Sequence, residues 1–457
     1  MNHQIMSLIS KYNVAAPRYT SYPTVPYWEE QTFHPEKWKA LLKKSFLESN
    51  GKDGISIYIH LPFCESMCTY CGCNKHITVN HGVEGPYIET LLKEWQLYVD
   101  TFGGRPRIRE IHLGGGTPTF FSAAHLAMLL NGIYRTAELL PDASLSFEGH
   151  PGNTTPEHLQ SLYNLGFRRI SLGIQDFDMR VQEIINRLQP FGMVASVVEN
   201  ARKIGFTSIN FDLIYGLPLQ TLTSMQHTID KVVRLRPDRI SFYSYAHVPW
   251  IKGTGQRRYT EADLPKDEEK RQLYELGKLL FDSNGYTEIG MDHFALPEEA
   301  LHKAFQQGRL HRNFMGYTDS PTSLLVGMGA SSIGDSWYAY AQNEKKVDAY
   351  QELVNKGEFP VVRGHILNEE DGLLRKHIHE LMCHFETTWH KADTQCDAII
   401  DGLQRLQELE RDGLVQVLPQ KVVVTPEGRP FIRNICMAFD ARLWRQVPHS
   451  QLFSSAI

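Results

Sequence analysis

The chain has few of the features that would place it in a membrane, outside the cell or on nucleic acid. None of its apolar runs reaches the ~18 residues that a membrane-spanning helix needs. Residues 1–7 contain no basic segment followed by a long apolar run, so we expect a cytoplasmic protein without a secretion signal. Acidic residues outnumber basic ones, 52 to 47, and the formal net charge of −5 argues against a general nucleic-acid-binding surface.

Cysteine is scarce and unevenly distributed. There are seven cysteines in 457 residues. An odd number with most members in one stretch does not fit a secreted disulfide framework. Cys64, Cys68, Cys71 and Cys73 lie within ten residues, directly after residues 56–63, which read as a buried strand. This cluster predicts a metal-binding loop.

The spacing of these cysteines narrows the kind of metal centre. Structural zinc sites usually combine two ligand pairs from separate segments, and no second C-x2-C or H-x3-H pair follows. Three thiolates at C-x3-C-x2-C suit three corners of a cubane iron–sulfur cluster, whose fourth iron either takes Cys73 or stays open to chemistry. An iron–sulfur site is the main interpretation; zinc, a disulfide and inert thiols are the alternatives.

The pattern after residue 50 predicts an α/β fold. Short β-rich runs alternate with amphipathic helical stretches about every 30 residues, which is typical of βα units around a parallel sheet. We predict an incomplete (β/α)6 TIM-like barrel with an N-terminal extension and a C-terminal, mainly helical, winged-helix-like domain. The six predicted strands cover residues 55–60, 108–113, 144–148, 169–175, 208–214 and 239–245.

The C-terminal region changes character after about residue 360. Helices are predicted over residues 377–385 and 398–411, followed by a hairpin at 413–417 and 421–425. Winged helices often bind DNA, but residues 401–411 mix acidic and basic side chains instead of forming a basic recognition helix. We therefore favour a lid or packing role for this module.

Polar side chains end the predicted strands, on the rim where βα barrels build their sites. Gly115 and Gly116 lack a Cβ, so a ligand could approach the backbone there, although a plain tight turn explains them equally. Glu148 could accept hydrogen bonds from ribose hydroxyls, or could be a solvated loop carboxylate. Gln175 and Arg187 could bind a ligand, or could simply cap an element or form an ion pair, and Asp212 lies on the same rim.

Several motifs resemble those of a known family. C-x3-C-x2-C with Tyr70 directly before the third cysteine resembles the signature of the radical S-adenosylmethionine superfamily. The added C-G-C-N-K of residues 71–75 and the P-R-Y-T-S-Y-P of residues 17–23 are similar to motifs of the oxygen-independent coproporphyrinogen III oxidases. The related haem-chaperone branch lacks the latter extension. The resemblance runs from residue 17 to residue 436, with its motifs in family order.

The resemblance implies the cofactors and their ligands. Cys64, Cys68 and Cys71 would hold a [4Fe-4S] cluster, and Cys73 would not be a ligand. S-adenosyl-L-methionine, in two molecules, would be contacted by residues along the whole rim. These are Tyr58, Tyr70, Gly115, Gly116, Thr117, Glu148, Gln175, Arg187, Asp212, Ala246 and Ile333. Arg18 and Tyr58 would be catalytic, with Arg18 a candidate for gripping a propionate.

The resemblance also implies an activity: anaerobic oxidative decarboxylation of two propionates of coproporphyrinogen III to vinyl groups, giving protoporphyrinogen IX in haem biosynthesis. A 5′-deoxyadenosyl radical would start the reaction, and a reductant such as flavodoxin or ferredoxin would supply electrons to a monomeric enzyme with no nucleic-acid partner. The alternatives are a haem-binding or haem-delivery protein, a haem-modifying radical enzyme and a zinc-stabilised winged-helix regulator.

The βα pattern and the resemblance together divide the chain into four parts. Residues 1–50 form the N-terminal extension and residues 51–300 the radical S-adenosylmethionine partial barrel. Residues 301–360 form a segment that closes the barrel mouth, and residues 361–457 form the winged-helix-like domain.

Overall fold

The computed structural model describes residues 3–249, 255, 256, 258–390, 393, 396–446 and 453. Fifteen α-helices and nineteen β-strands lie in these residues. The helices are α1 His3–Tyr12, α2 Pro35–Ser49, α3 Glu84–Phe102, α4 Ala123–Thr136, α5 Pro156–Asn164, α6 Met179–Ile184, α7 Phe191–Ile204, α8 Leu222–Leu235, α9 Asp267–Ser283, α10 Ala300–Gln306, α11 Val347–Asn355, α12 Glu369–His384, α13 Asp397–Arg411, α14 Ile432–Met437 and α15 Ala441–Arg445.

The strands are mostly short and alternate with these helices. They are β1 Ile55–Leu61, β2 Phe63–Cys64, β3 His76–Ile77, β4 Arg107–Gly115, β5 Glu138–Gly149, β6 Arg169–Gln175, β7 Ser208–Tyr215, β8 Arg239–Ser244, β9 Thr287–Gly290, β10 His293–Ala295, β11 His311–Asn313, β12 Gly316–Thr318, β13 Leu325–Met328, β14 Ile333–Asp335, β15 Ala339–Asn343, β16 Val361–Ile366, β17 Glu386–Thr388, β18 Val415–Leu418 and β19 Lys421–Val424.

The six predicted strands form the parallel centre of one large sheet. They are adjacent in the order β1-β4-β5-β6-β7-β8 and pair in parallel throughout. Helices connect them, as βα crossovers require. The predicted α/β partial barrel is therefore confirmed.

The sheet extends beyond the six predicted strands on both sides. Strand β13 adds a seventh parallel strand beside β1, with Ser56 opposite Leu325, and β14, β15 and β16 continue it antiparallel. On the other side β10 and β9 join β8 antiparallel. Twelve strands thus share one sheet within the described part of the chain. The segment after residue 310 belongs partly to the barrel wall.

Side chains alternate along the central strands between the barrel interior and the helical layer. On β7, Ile209, Phe211 and Leu213 are fully buried in the core beneath the helices, whereas Asn210 and Asp212 face a cavity inside the barrel. A strand has a side-chain period of two, so the same sequence provides both surfaces. Polar groups therefore enter the barrel without interrupting the apolar core.

The C-terminal region contains the predicted hairpin. Strands β18 and β19 pair antiparallel, and β17 adds a third strand on the free side of β19. Helices α12 and α13 pack against them. Apart from residue 453, the chain after residue 446 lies outside the described residues.

The N-terminal segment is tied to the C-terminal helices. Arg433 donates hydrogen bonds to the carbonyl oxygens of Ala16 and Pro17, and Tyr19 donates to Asp440 over 3.0 Å. Tyr12, Tyr19 and Tyr22 lie in the same apolar cluster as helices α12, α13 and α14. The described N-terminal segment and helices α12 to α14 thus form one packed unit. In the described residues no helix combines the length and apolarity that crossing a membrane demands.

Candidate active site

The cysteine loop is closed at its base by short-range backbone pairing. Strand β2, which ends in Cys64, pairs in parallel with β3, and the amide of Thr78 donates to the carbonyl of Cys64 over 2.9 Å. The loop therefore starts at the end of β1, and its first and last residues lie side by side. This geometry holds the cysteines at the carboxyl end of the first barrel strand.

The glycine turn after β4 packs directly against this loop. The amide of Gly116 donates to the Leu61 carbonyl and that of Thr117 to the Phe63 carbonyl, each over 2.9 Å. A Cβ on Gly116 would lie 2.6 Å from the carbonyl carbon of Pro62. Only glycine fits at this position, because a backbone group stands where the side chain would begin.

The thiols of Cys64, Cys68 and Cys71 line one end of a cavity of about 570 Å³. The Sγ of Cys64 lies 3.3 Å from the Thr117 hydroxyl, and the Arg187 guanidinium lies 3.5 Å from the Sγ of Cys68. Burial raises the pKa of Cys64 to about 11, whereas a hydrogen bond with Cys73 lowers the pKa of Cys71. Cys73 also lines this end of the cavity, with an exposed side chain.

These thiols fit an iron–sulfur cluster better than a single ion. In the described residues, no three His, Cys, Asp or Glu side chains are arranged to hold one metal ion. In a cubane each cysteine binds a different iron, so its sulfurs need not converge on one point. Three soft thiol donors at one end of a cavity, beside a guanidinium, match that requirement.

Arg187 is fixed by the end of strand β6. Its Nη2 and Nε donate to the Gly173 carbonyl over 2.7 and 3.1 Å, and Gln189 donates to the same oxygen over 2.9 Å. A Cβ on Gly173 would lie 2.8 Å from Nη2. Gln175, two residues on, has a positive φ of 65° and lines the cavity. The end of β6 therefore holds both predicted side chains at the site.

Two carboxylates face the cavity from neighbouring parts of the barrel. Glu148 accepts a hydrogen bond from the Gly115 amide over 3.2 Å and lies 3.4 Å from His112 Nε2. Asp212 accepts from Ser171 over 2.9 Å and from Asn210 over 2.8 Å. Burial, together with the nearby Glu148 charge, raises the pKa of Asp212 to about 6.

Most residues predicted from the sequence to form the site line this one cavity. They are Cys64, Cys68, Tyr70, Cys71, Gly115, Gly116, Thr117, Glu148, Gln175, Arg187 and Asp212.

Four predicted residues are not among those that line the cavity. Tyr58 lies behind the glycine turn, with its ring stacked on His112 at 6.0 Å. The Ala246 carbonyl accepts from Gln256, which also donates to the Tyr70 carbonyl over 3.0 Å. Ile333 lies in β14, on the far side of β13 from β1. Their roles stay predictions.

The fourth of these, Arg18, forms an ion pair with Asp292 beside a second, much smaller cavity of about 40 Å³. Its guanidinium lies 5.6 Å from the ring centroid of Tyr243, which lines the large cavity. Arg18 therefore lies next to the site, but its charge is already paired. Its role also stays a prediction.

Sequence reasoning missed the side chains that line the rest of the cavity. Tyr243, His293 and Tyr317 form part of its wall, and Arg169 and Arg239 line its deep end. Arg169 and Arg239 begin the buried strands β6 and β8. A charged residue at the first position of an apolar strand was the one signal that could have indicated them. His293 and Tyr317 lie outside the six predicted strands and gave no such signal.

The fold and the thiol-lined cavity define the chain as a radical S-adenosylmethionine enzyme, with a [4Fe-4S] cluster and S-adenosyl-L-methionine as its cofactors. The model of the radical SAM superfamily matches residues 58–232. Three comparisons extend over nearly the whole length.

The oxygen-independent coproporphyrinogen III oxidase of Escherichia coli K12 is 38% identical over 460 residues, which cover 99% of this chain and 98% of that protein. The enzyme of the same name from Pseudomonas aeruginosa is 38% identical, covering 95% of each chain. The solved structure of Escherichia coli coproporphyrinogen III oxidase (HemN), a radical SAM enzyme, matches with a TM-score of 0.88 at 36% identity, covering 95% of this chain and 98% of that one. The chain belongs to the oxygen-independent coproporphyrinogen III oxidase family.

Proposed function

We propose that this protein catalyses the anaerobic oxidative decarboxylation of two propionate side chains of coproporphyrinogen III, giving the vinyl groups of protoporphyrinogen IX. The observation that carries the proposal is one cavity that combines three cysteine thiols with Thr117, Glu148, Arg187 and Asp212. Similarity to enzymes of this name along the whole chain supports it. Neither kind of observation favours a haem-delivery protein or a haem-modifying enzyme.

The chain's own residues have distinct tasks in this proposal. Cys64, Cys68 and Cys71 hold the cluster, and Cys73 stays outside it. The glycine turn at Gly115 and Gly116 gives a ligand access to the backbone, because no Cβ stands in the way. When bound, the cluster and S-adenosyl-L-methionine supply the 5′-deoxyadenosyl radical that removes a hydrogen atom from a propionate side chain.

Polar side chains orient the cofactor and substrate in the barrel. Glu148 and Asp212 would accept hydrogen bonds from the hydroxyls of the adenosyl ribose, and Arg187 and Gln175 would bind the charged methionine end. Ala246 and Ile333 would contact a second S-adenosyl-L-methionine. Arg18 leaves Asp292 to bind a propionate, because a substrate carboxylate can replace the aspartate as its partner. The surrounding barrel excludes water and oxygen from the radical.

The proposal includes the setting of the reaction. The enzyme works in the cytoplasm as a monomer, and an external one-electron donor such as flavodoxin or ferredoxin reduces the cluster. An external one-electron acceptor takes the electron that the substrate radical releases together with CO2. The substrate's four carboxylates match a site that has arginines at its edge and its base.

The test is anaerobic turnover of cluster-loaded protein with coproporphyrinogen III, S-adenosyl-L-methionine, a reductant and a one-electron acceptor. We expect protoporphyrinogen IX, two CO2 per substrate, and methionine with 5′-deoxyadenosine. Cys68→Ser is the negative control. Cluster-loaded wild-type protein that forms no vinyl product overturns the proposal.

A further inference from the structure

His293 has a defined tautomer at the wall of the large cavity. It is the first residue of β10, opposite Ser241 of β8, and it lines the cavity. Its Nδ1 lies 2.7 Å from the Met291 carbonyl oxygen, which can only accept. The Nδ1 atom of a neutral imidazole must therefore carry the proton, and its Nε2 must carry a lone pair.

The Nε2 atom is open to the cavity. Among the described residues it has no hydrogen-bond partner, and it is not one of the unpartnered atoms that are shut off from solvent. His293 thus offers one unused hydrogen-bond acceptor inside a site that has been shaped to bind a ligand. A ligand that displaces water from this part of the cavity would leave the acceptor unpaired unless the ligand brings a donor, so a ligand donor at this point would be stabilising.

Burial, assisted by two nearby arginines, keeps this imidazole neutral. Burial lowers the pKa of His293 to about 4, and the nearby charges of Arg312 and Arg18 act in the same direction, against the Met291 carbonyl and Asp292. Arg312 is buried, its guanidinium lies 4.5 Å from the Tyr317 ring centroid, and within the described chain its Nε and Nη1 have no hydrogen-bond partner. This nearby cation adds to the effect of burial in disfavouring a positive charge on His293.

The ring lies between two tyrosines on the cavity wall. The centroid of His293 is 5.8 Å from that of Tyr243 and 5.2 Å from that of Tyr317, with the planes at 82° and 83°. These edge-to-face contacts fix the direction of the imidazole. We call these three rings the aromatic wall; within it, the Nε2 atom of His293 is the ring nitrogen that has no hydrogen-bond partner among the described residues.

We propose that Nε2 of His293 accepts a hydrogen bond from a pyrrole N–H of the tetrapyrrole substrate and so selects the reduced, porphyrinogen form. The proposal rests on the proposed function. A porphyrinogen has four pyrrole N–H donors and no ring-nitrogen acceptor. The oxidised porphyrin has two imine nitrogens, whose lone pairs would repel that of His293. A neutral, correctly oriented imidazole in the aromatic wall distinguishes these two forms.

The test measures binding without turnover. Cluster-loaded protein with S-adenosyl-L-methionine and no reductant is equilibrated anaerobically with coproporphyrinogen III or with coproporphyrin III. For His293→Phe we expect a five- to tenfold rise in the Kd of coproporphyrinogen III, about the value of one hydrogen bond. The Kd of coproporphyrin III should change less than twofold. His293→Gln, whose amide oxygen can accept, should restore much of the preference.

Two further variants guard against loss of folding and against a general effect of the substitution. His293→Leu replaces His293→Phe if the phenylalanine variant does not fold. His227→Phe places the same change on an exposed position of α8 and should leave both Kd values unchanged. An equal loss for both ligands, or no loss for either, in the folded His293→Phe or His293→Leu protein overturns the proposal.

The outcome can be separated from that of the proposed function. If wild-type protein shows the His293-dependent preference but forms no vinyl product with reductant, the proposed function fails and this assignment stands. If it turns over while His293→Phe keeps the full preference, the assignment fails alone. Failure of the wild-type protein to bind coproporphyrinogen III overturns both.

Discussion

The guanidinium of Arg187 lies 3.5 Å from the Sγ of Cys68 and is anchored to the Gly173 carbonyl at the end of β6. It thereby couples the cysteine loop, which follows the first barrel strand, to the fourth strand along the barrel. A fixed positive charge beside a thiolate stabilises negative charge on the metal centre that the thiolate binds.

Removal of this charge should make the cluster harder to reduce. We expect Arg187→Met to shift the reduction potential to more negative values, because the added electron loses a nearby cation. A potentiometric titration followed by electron paramagnetic resonance measures the shift. Arg180→Met, at an exposed arginine that pairs with Asp178, is the matched control. An unchanged potential at equal iron content would contradict this account.

Three of the four clustered cysteines should be ligands of the iron–sulfur cluster, and Cys73 should not be a ligand. Cys64→Ser, Cys68→Ser and Cys71→Ser should each lose most of the iron and sulfide, because a hydroxyl replaces a thiolate ligand. Cys73→Ser should keep both near the wild-type level. Iron and sulfide analysis of anaerobically purified protein decides the matter. Cluster loss in Cys73→Ser would identify a fourth ligand.

The glycine turn should not tolerate a side chain. Gly116→Ala places a Cβ 2.6 Å from the Pro62 carbonyl carbon, which is backbone and cannot rotate away. We expect the free energy of unfolding to fall by about 1–3 kcal/mol, as for other overpacked sites. Gly192→Ala, where nothing lies within 4 Å of the added atom, should be neutral or slightly stabilising. Denaturant unfolding compares the two, and equal stability would refute the close contact.

Asp212 should make the protein less stable as the pH rises. Its pKa in the fold is about 6, raised by burial, whereas the unfolded value is about 4. The folded state therefore holds a proton that the unfolded state has lost, and stability decreases between these two values by up to about 3 kcal/mol. Asp212→Asn removes the charge; its amide oxygen can still accept from Asn210, and its NH2 group can donate to the Ser171 hydroxyl oxygen.

The variant's free energy of unfolding, taken relative to that of wild type, should therefore be about 1–3 kcal/mol higher at pH 7.5 than at pH 4.5. Denaturant unfolding of the protein without S-adenosyl-L-methionine at these two pH values measures the gain. Asp230→Asn, on the exposed face of α8, is the control. A difference from wild type that does not vary with pH would exclude Asp212 as the source.

The central strands could be predicted because their sequence carries a local signal. Strand β1 is almost wholly buried and apolar, and β6 matches its predicted bounds exactly at Arg169 and Gln175. Strands β13 and β14 carry little signal, since they are only four and three residues long and contain glycine. They become strands because β1 offers a free edge, which is a property of the assembled sheet.

The candidate site also has parts that could be predicted from the sequence and parts that could not. Cysteine spacing and the glycine turn are local, so they could be read directly. The pairing of Arg18 with Asp292 joins residues 274 positions apart, and the sequence gives no means to foresee it. The role proposed for His293 depends on its interactions with Met291, Arg312 and two tyrosines, and only the folded structure shows these interactions.

Because Arg433 holds the N-terminal segment, this segment can be fixed only after most of the chain has been synthesised. The last central strand, β8, ends at Ser244, so the ribosome has made the whole parallel centre well before Arg433 appears. The carbonyl oxygen of Pro17 accepts a hydrogen bond from a residue that lies 416 positions later in the chain. Contacts of such long separation form late in folding. The parallel centre and the cysteine loop are thus synthesised while the segment that contains Arg18 still lacks the C-terminal partner that holds it.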